Sequence, residues 1–319
     1  MKISVIGMGA VGTEIVATLM TMPEIREIVA LNRTRAKAEG EVLDLLHTTA
    51  FNDARNPLLR AGDPADLAGS DIVVMTAGAQ IRDGETRDVL LHANHAIVRE
   101  TVPDLARYAP GAIVLVVTNP VDVVTQLFLR HSSFDKRRVI SLGTVVDTAR
   151  LMRIVGERIG IDPKNIFGYV LGDHSETAFI AWSICNVCGM DIDTYCRLND
   201  VPLLDRARIG AEVTEAGFGI LRRKGNTNHG ISASVCRIIR AIVADERCVL
   251  PVGTLLEGEY GVHGTVMSVP CVIGRQGVER IVKYAFTTAE MWDLHASERH
   301  LRALLDMATS DQAPDVPVP

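Results

Sequence analysis

Lys2-Ile3-Ser4-Val5-Ile6-Gly7-Met8-Gly9-Ala10-Val11-Gly12 is the stretch that decides the fold. The run Ile3–Ile6 is apolar in the manner of a buried strand. An apolar face at Val11, Ile15, Leu19 and Met22, spaced 4, 4 and 3, predicts a helix directly after it. Between the two stands G-x-G-x-x-G. Alone that pattern is common, but at a strand-to-helix junction each glycine has a task. Gly7 permits the tight turn, Gly9 lets the backbone approach a pyrophosphate, and Gly12 lets helix and strand pack closely. The helix N-terminus, at Ala10 and Val11, then offers free N–H groups to phosphate oxygens.

The same rhythm continues outward. Ile28–Leu31, Asp71–Thr76, Ala112–Thr118 and Val139–Leu142 are further strand-like runs, and residues 35–47 have a helical pattern with Val42, Leu45 and Leu46 apolar. Continuous β-branched runs belong in parallel sheets covered on both faces. Strand and helix alternating in this way predict an α/β fold with a doubly wound parallel sheet. Past residue 145 the pattern changes. Helices are expected over 145–159, 203–224, 229–245 and 287–308, and strands over 165–172, 248–256 and 265–273. The expected division is a dinucleotide-binding domain at 1–144, an α+β catalytic domain at 145–309, and a frayed, disordered tail at 310–319. No Pro/Gly/Ser linker separates the halves, so a tight interface between them is expected.

A carboxylate normally stands about 20 residues after the last glycine and holds the adenosine ribose. Here the position is Asn32, followed by Arg33-Thr34-Arg35. An amide does not repel a 2′-phosphate, and Arg33 or Arg35 can pair with one. The reading leans to NADP over NAD, with NAD kept open.

Composition narrows the classes. The chain has 319 residues, 47% hydrophobic and 23% charged, ample for a large core. Lys and Arg number 33 against 39 acidic residues, a net charge of −6, which argues against nucleic acid as partner. Aromatics at 4% leave few stacking platforms for single strands. No apolar run is long enough for a membrane span, and Met1-Lys2 leads straight into the first strand without a signal-peptide core. The six cysteines are scattered and read as reduced, buried residues of a cytoplasmic protein. Cys185-Asn186-Val187-Cys188 is a lone CxxC without a second pair, so neither a metal nor a redox role is expected. Its surroundings, Ala181-Trp182-Ser183-Ile184, read as a buried apolar helix.

Four segments put polar groups where α/β sheets bind ligands, near the carboxyl ends of strands. They are the loop Thr76–Arg87, with Gly78 and Gly84 as hinges and Arg82, Glu85 and Arg87 as polar groups; Thr118-Asn119-Pro120; Asp147 with Arg150 opening a helix; and Gly172-Asp173-His174. Singly each has a bland explanation, an exposed i,i+3 pair or one histidine among nine. Together they point to one site.

With these motifs in order, GMGAVG at 7–12, TAGAQIRDGETR at 76–87, TNPVD at 118–122, GTVVDTAR at 143–150 and LGDHSETAFIAWS at 171–183, the chain resembles the L-lactate/L-malate dehydrogenase family, on its L-2-hydroxyacid dehydrogenase side, from Lys2 to about Met307. The resemblance implies hydride transfer between a nicotinamide and a 2-oxo acid. It assigns His174 as acid/base, Asp147 as its partner and Arg87 as the group that polarises the carbonyl. Arg150 holds the substrate carboxylate in a two-pronged pair. Asn119 bonds the substrate, before a proline that the family suggests is cis. Thr227 and Ile231 line the substrate and nicotinamide pocket. Thr76, Ala77, Gly78, Thr118 and Asn119 join the glycine loop in binding the cofactor. A homodimer or homotetramer is implied as well.

The chain also departs from the family. The loop position that selects substrate, Gln in lactate and Arg in malate dehydrogenases, is Ile81 here. An apolar residue cannot pair with a second carboxylate, so a lactate-like or larger apolar substrate is favoured over malate. The neighbouring Arg82 keeps a malate-type alternative open, and a catalytically idle NAD(P)-binding regulator is the second alternative. Ser175 replaces the Gly that follows the family's catalytic histidine. Met152 and Phe167 stand where fructose 1,6-bisphosphate-activated relatives carry Arg and His, so no such activation is expected.

Overall fold

The computed structural model describes residues 1–51, 56–79 and 87–310; the side chains of Arg87 and Asp88 are outside that description. The sequence-selected loop residues Ile81, Arg82, Gly84 and Glu85, and the tail from 311 onward, lie outside the described residues.

The first half builds six strands: β1 (Lys2–Ile6), β2 (Glu27–Leu31), β3 (Leu58–Ala61), β4 (Ile72–Met75), β5 (Ile113–Val116) and β6 (Val139–Ser141). They are joined by α1 (Ala10–Leu19), α2 (Arg35–His47), α3 (Arg87–Tyr108) and α4 (Val121–His131). All six strands are parallel, in the order β3-β2-β1-β4-β5-β6. The order reverses between β1 and β4, and there the glycine loop sits, as the rule for open α/β sheets requires. Every residue of β4 and β5 is buried, which explains their uninterrupted Ile-Val-Val-Met and Ile-Val-Leu-Val sequences.

The second half is α5 (Val145–Ile159), β7 (Ile166–Phe167), β8 (Val170–Leu171), β9 (Phe179–Ile180), β10 (Asn186–Val187), β11 (Met190–Asp191), α6 (Ile192–Leu198), α7 (Arg206–Lys224), α8 (His229–Val243), β12 (Cys248–Glu257), β13 (His263–Gly274), β14 (Gly277–Ile281) and α9 (Thr288–Thr309). The antiparallel strands β12, β13 and β14 extend the parallel sheet through one contact, Gly253 of β12 against Ser141 of β6. The tight interface expected from the missing linker is therefore a shared sheet. One large core runs along it, and a smaller one gathers Leu151, Val155 and Ile159 of α5 with Ile209 and Val213 of α7.

Three expectations need correction. The strand expected over 165–172 is broken at Gly168, where a Cβ would stand 2.5 Å from Cys185 Sγ. Its parts pair differently, β7 with β10 and β8 with β9. The apolar segment before the CxxC is one 3-10 turn, Trp182–Ile184, leading into β10, not a buried helix. Cys188 is exposed at φ 51° and Cys248 is half-buried, so the cysteines are not uniformly buried. Among the described residues no helix is long and apolar enough to cross a membrane.

Candidate active site

The glycine loop is held from three sides. Gly7, at φ 108°, donates its N–H to Leu31 O on β2. Thr76, just past β4, donates its hydroxyl to Gly7 O at 2.7 Å. A Cβ on Gly12 would fall 1.9 Å from Gly7 O, so the close packing assigned to this glycine is a steric necessity. A Cβ on Gly9 would meet nothing within 4 Å. That open side lies beside the first turn of α1, whose N-cap supplies no side-chain bond. The backbone donors of Ala10 and Val11 are thus free in the way anion binding requires. Thr13 Oγ1, buried on the same turn, has no partner among the described residues. These features fit a dinucleotide pyrophosphate.

Neighbouring strand ends lock together. Thr118 Oγ1 donates to Ala77 O at 2.7 Å, and a Cβ on Gly78 would lie 2.5 Å from Thr118 Cγ2. Asn94 of α3 joins them, accepting from Ala79 N at 2.8 Å and donating to Asn119 O at 2.7 Å. The Asn119–Pro120 peptide is cis. Asn32 ends β2 and turns back, its Oδ1 accepting from Met8 N at 3.1 Å. Arg33 is exposed beside it, whereas Arg35 is engaged by Glu39 and Asp63.

Asp147 and Arg150 come from α5, which is separated from β6 by three residues. Its start is pinned by Thr144 Oγ1, which donates to Val170 O at 2.6 Å. His174 follows β8 through Gly172, at φ 93°, which exchanges two backbone bonds with Ser268 of β13. These anchors bring His174 Nδ1 to 2.5 Å from Asp147 Oδ2, while Arg150 Nη1 donates to Asp147 Oδ1 at 2.7 Å. Asp147 is buried and His174 keeps a quarter of its side chain open. Burial works against the imidazolium, but the charge and hydrogen bond of Asp147 outweigh it and hold His174 above its ordinary value. Burial likewise opposes ionised Asp147, yet His174 and Arg150 keep its carboxyl below the ordinary range.

Helices α7 and α8 close in on this pair. A Cβ at Gly217 of α7 would be 3.2 Å from Arg150 Nη2, and one at Gly230 of α8 would be 3.4 Å from Val146 Cγ2. Thr227 lies on the short segment between these helices, and Ile231 on the first turn of α8, packed against the main core. Glu14 of α1 meets His229 of α8 at 3.0 Å, so the helix that follows the glycine loop is in direct contact with the second half. Arg87 opens α3 at the far end of the Thr76 loop. Phe167 is exposed, edge-on to Tyr169 at 5.2 Å, and Met152 packs against the smaller core.

Sequence reasoning gave no role to two buried acids that lie within the quoted motifs. Asp122, buried in the first turn of α4, accepts from Ser141 Oγ at 2.6 Å and from the His174 N–H at 3.3 Å. Asp173 accepts from the hydroxyls of Ser175 and Thr177, both at 2.6 Å. The signal for Asp122 was present: one acid in Val121-Asp122-Val123-Val124, an otherwise apolar run that must be buried.

A doubly wound sheet with an open glycine loop at its switch point, joined to a second region bearing a carboxylate-held imidazole, defines a dinucleotide-binding α/β protein equipped for proton transfer. Comparison with known proteins makes this specific. Residues 1–141 match the model of the lactate/malate dehydrogenase NAD binding domain, and residues 144–312 that of the family's alpha/beta C-terminal domain. L-lactate dehydrogenase 1 of Clostridium acetobutylicum is 40% identical over 309 residues, covering 96% of this chain and 97% of that protein. L-lactate dehydrogenase of Synechococcus sp. is also 40% identical, over 96% of this chain and 99% of its own. The crystal structure of minor L-lactate dehydrogenase from Enterococcus mundtii superposes with a TM-score of 0.92 at 32% identity, over 96% and 97% of the two chains. A lactate dehydrogenase from a Medee basin deep-sea metagenome library does so with 0.93 at 34%, over 97% and 99%. The chain belongs to the lactate/malate dehydrogenase family of oxidoreductases.

Proposed function

We propose that this protein interconverts an L-2-hydroxy acid and its 2-oxo acid, with 1–144 as the dinucleotide half and 145–309 as the substrate half. The observation that carries this reading is the array in which His174 and Arg150 share the buried carboxylate of Asp147. A bound dihydronicotinamide supplies the hydride. It would be held by Gly7, Gly9 and Gly12, the Ala10 and Val11 amides, Asn32, Thr76–Gly78, Thr118, Asn119 and Ile231.

The chain's own groups do the rest. His174, kept protonated by Asp147, gives its Nε2 proton to the oxygen of the keto group as that oxygen gains charge. In the reverse direction the neutral ring takes the hydroxyl proton. Arg150 grips the substrate carboxylate with the paired donors of its guanidinium, a geometry lysine lacks. Arg87 polarises the carbonyl, Asn119 bonds the substrate, and Thr227 lines the pocket. Ile81 sets the preference for an apolar side chain over a second carboxylate, and Arg82 beside it is the group a malate-type enzyme would use.

Cofactor choice rests on Asn32 and Arg33. Arg35 is committed to Glu39 and Asp63, which leaves Arg33 to meet a 2′-phosphate. NADPH should therefore be accepted beside NADH, and Arg33→Ala should cost NADPH alone. The exposed Phe218 and Leu221 of α7 offer an apolar face for self-association into a dimer or tetramer.

The test is oxidation of NADH and NADPH with pyruvate, larger 2-oxo acids and oxaloacetate. Turnover with apolar 2-oxo acids, lost in His174→Asn with cofactor binding retained, supports the reading. An oxaloacetate preference overturns the Ile81 assignment, and near-normal kcat in His174→Asn overturns the mechanism.

A further inference from the structure

Asp122 is a fully buried carboxyl that the mechanism above does not use. It lies two residues beyond the cis Asn119–Pro120 peptide, on the first turn of α4. Its surroundings are built around it. Oδ1 accepts from Ser141 Oγ at 2.6 Å, and Oδ2 accepts from the backbone N–H of His174 at 3.3 Å. A Cβ on Gly253 would stand 2.4 Å from Oδ1, so a side chain at that position would displace the carboxyl. Gly253 and Ser141 are also the pair through which β12 joins β6. Asp122 thus occupies the seam of the sheet, tied at one end to the segment carrying Asn119 and at the other to the residue carrying the imidazole.

We propose that Asp122 is a positioning residue for the acid/base step: it fixes the His174 backbone through its amide and sets a second negative charge near the imidazole. This rests on the dehydrogenase reading above. Both oxygens of Asp122 accept hydrogen bonds, which is the arrangement of a carboxylate rather than of a neutral acid. Burial nevertheless pushes its carboxyl up to about 7, so its charge appears near neutral pH. The charged groups that face it are Asp173 and His174, after β8. Asp147, paired with Arg150 of α5, meets the ring at Nδ1, and His300 of α9 stands 3.7 Å from Asp173. Asp147 holds His174 at Nδ1 of the ring; Asp122 reaches it through the backbone N–H. The proton affinity of His174 is then set by two carboxylates in different elements.

The experiment compares the wild-type protein with Asp122→Asn and Ser141→Ala in both reaction directions across pH. Asp122→Asn keeps the volume and removes the charge. His174 should then lose its proton at lower pH. The alkaline limb of 2-oxo acid reduction and the acid limb of 2-hydroxy acid oxidation should both move down by about one pH unit, the order expected for a unit charge about 10 Å away at an effective dielectric near 20. Ser141→Ala, which removes a bond that favours the Asp122 anion, should shift both limbs the same way by less, with KM for NADH unchanged. A purely structural residue would lower kcat or yield and leave the midpoints in place. Wild-type midpoints in both variants overturn the proposal. If Asp122→Asn does not fold, Ser141→Ala decides alone by the same criterion. Absence of 2-oxo acid-dependent NADH oxidation in the wild type overturns the dehydrogenase reading and this inference with it, a result distinct from unmoved midpoints in an active enzyme.

Discussion

His174 Nδ1 and Asp147 Oδ2 stand 2.5 Å apart, with the carboxylate buried and the ring still partly open. The pairing fixes the tautomer. Nδ1 carries the proton that Asp147 accepts, so Nε2 is the atom left to exchange protons with a substrate. It also sets the pH range. Because His174 is held above its ordinary value, reduction, which on the proposed mechanism draws its proton from the imidazolium, should persist further into alkali than a free histidine would allow.

Asp147→Asn should reverse that shift. The amide can accept the same hydrogen bond but brings no charge, so the alkaline limb of reduction should fall by about one pH unit or more, with kcat down on the order of a hundredfold. Steady-state rates from pH 5 to 9 are the measurement. A variant with an unmoved alkaline limb would show that burial, not Asp147, governs the ring.

Two glycines of one loop should fail in different ways. At Gly12 a methyl group would collide with Gly7 O at 1.9 Å, so Gly12→Ala should lower the melting temperature along with NADH affinity. At Gly9 nothing lies within 4 Å, so Gly9→Ala should fold with an unchanged melting point yet bind NADH at least about tenfold more weakly, its methyl occupying the phosphate approach. Calorimetry and fluorescence titration separate the two. Equal losses of stability at both positions would mean that the open side of Gly9 serves no ligand.

The contrast shows what a sequence can disclose. The glycine loop was legible because its requirements are local: strand, turn, helix and close approach all fall within Lys2–Gly12. That Asp147, Arg150 and His174 would meet was legible because they lie in the first two turns of a helix and just past a strand, where α/β sheets gather polar groups. The short strands were not. β3 is defined by a partner far away in the chain, β2, and its run Leu58–Ala61 has no periodicity to announce it; β14 is a five-residue edge strand in a hairpin with β13, and Gly277-Val278-Glu279-Arg280-Ile281 has too few apolar residues to stand out. The break at Gly168 depends on Cys185, 17 residues on, and no local pattern encodes it. Asp122 belonged to a motif that was noticed, but its partners Ser141, Gly253 and His174 come from three other segments.

Ser175 provides a smaller test. Its hydroxyl donates to the buried Asp173 carboxylate at 2.6 Å and accepts from Thr177 N at 3.3 Å. Ser175→Gly removes one of two hydroxyl donors from an acid that burial already pushes above its ordinary range. The cost should be about 1–3 kcal/mol, as for a hydrogen bond to a charged group, and it should shrink in acid as Asp173 takes up a proton. Urea unfolding at pH 8 and pH 5 measures both. A loss that is the same at the two pH values would assign the effect to glycine's extra chain entropy.

Asp122 should be a site where function is held at a cost to stability. Its carboxyl is near 3.8 in an unfolded chain and is pushed to about 7 by burial. A raised folded value means stability that is fully present below the unfolded value and is lost as pH rises through the folded one. The loss should therefore build up between about pH 4 and pH 7 and then level off. At about 1.4 kcal/mol per unit the shift corresponds to ~4 kcal/mol in order of magnitude. Asp122→Asn cannot ionise and escapes it, although the amide must present a donor where two donors now converge, at a cost of about 1–3 kcal/mol. Relative to wild type, the variant should gain stability as pH is raised from 5 to 8, with melting temperature shifting by a few degrees in its favour. Differential scanning calorimetry at several pH values reads this directly. A difference between the two proteins that does not vary with pH would mean that Asp122 is already ionised at no cost throughout, and its buried charge would then need a stabilising partner other than Ser141 and the His174 amide.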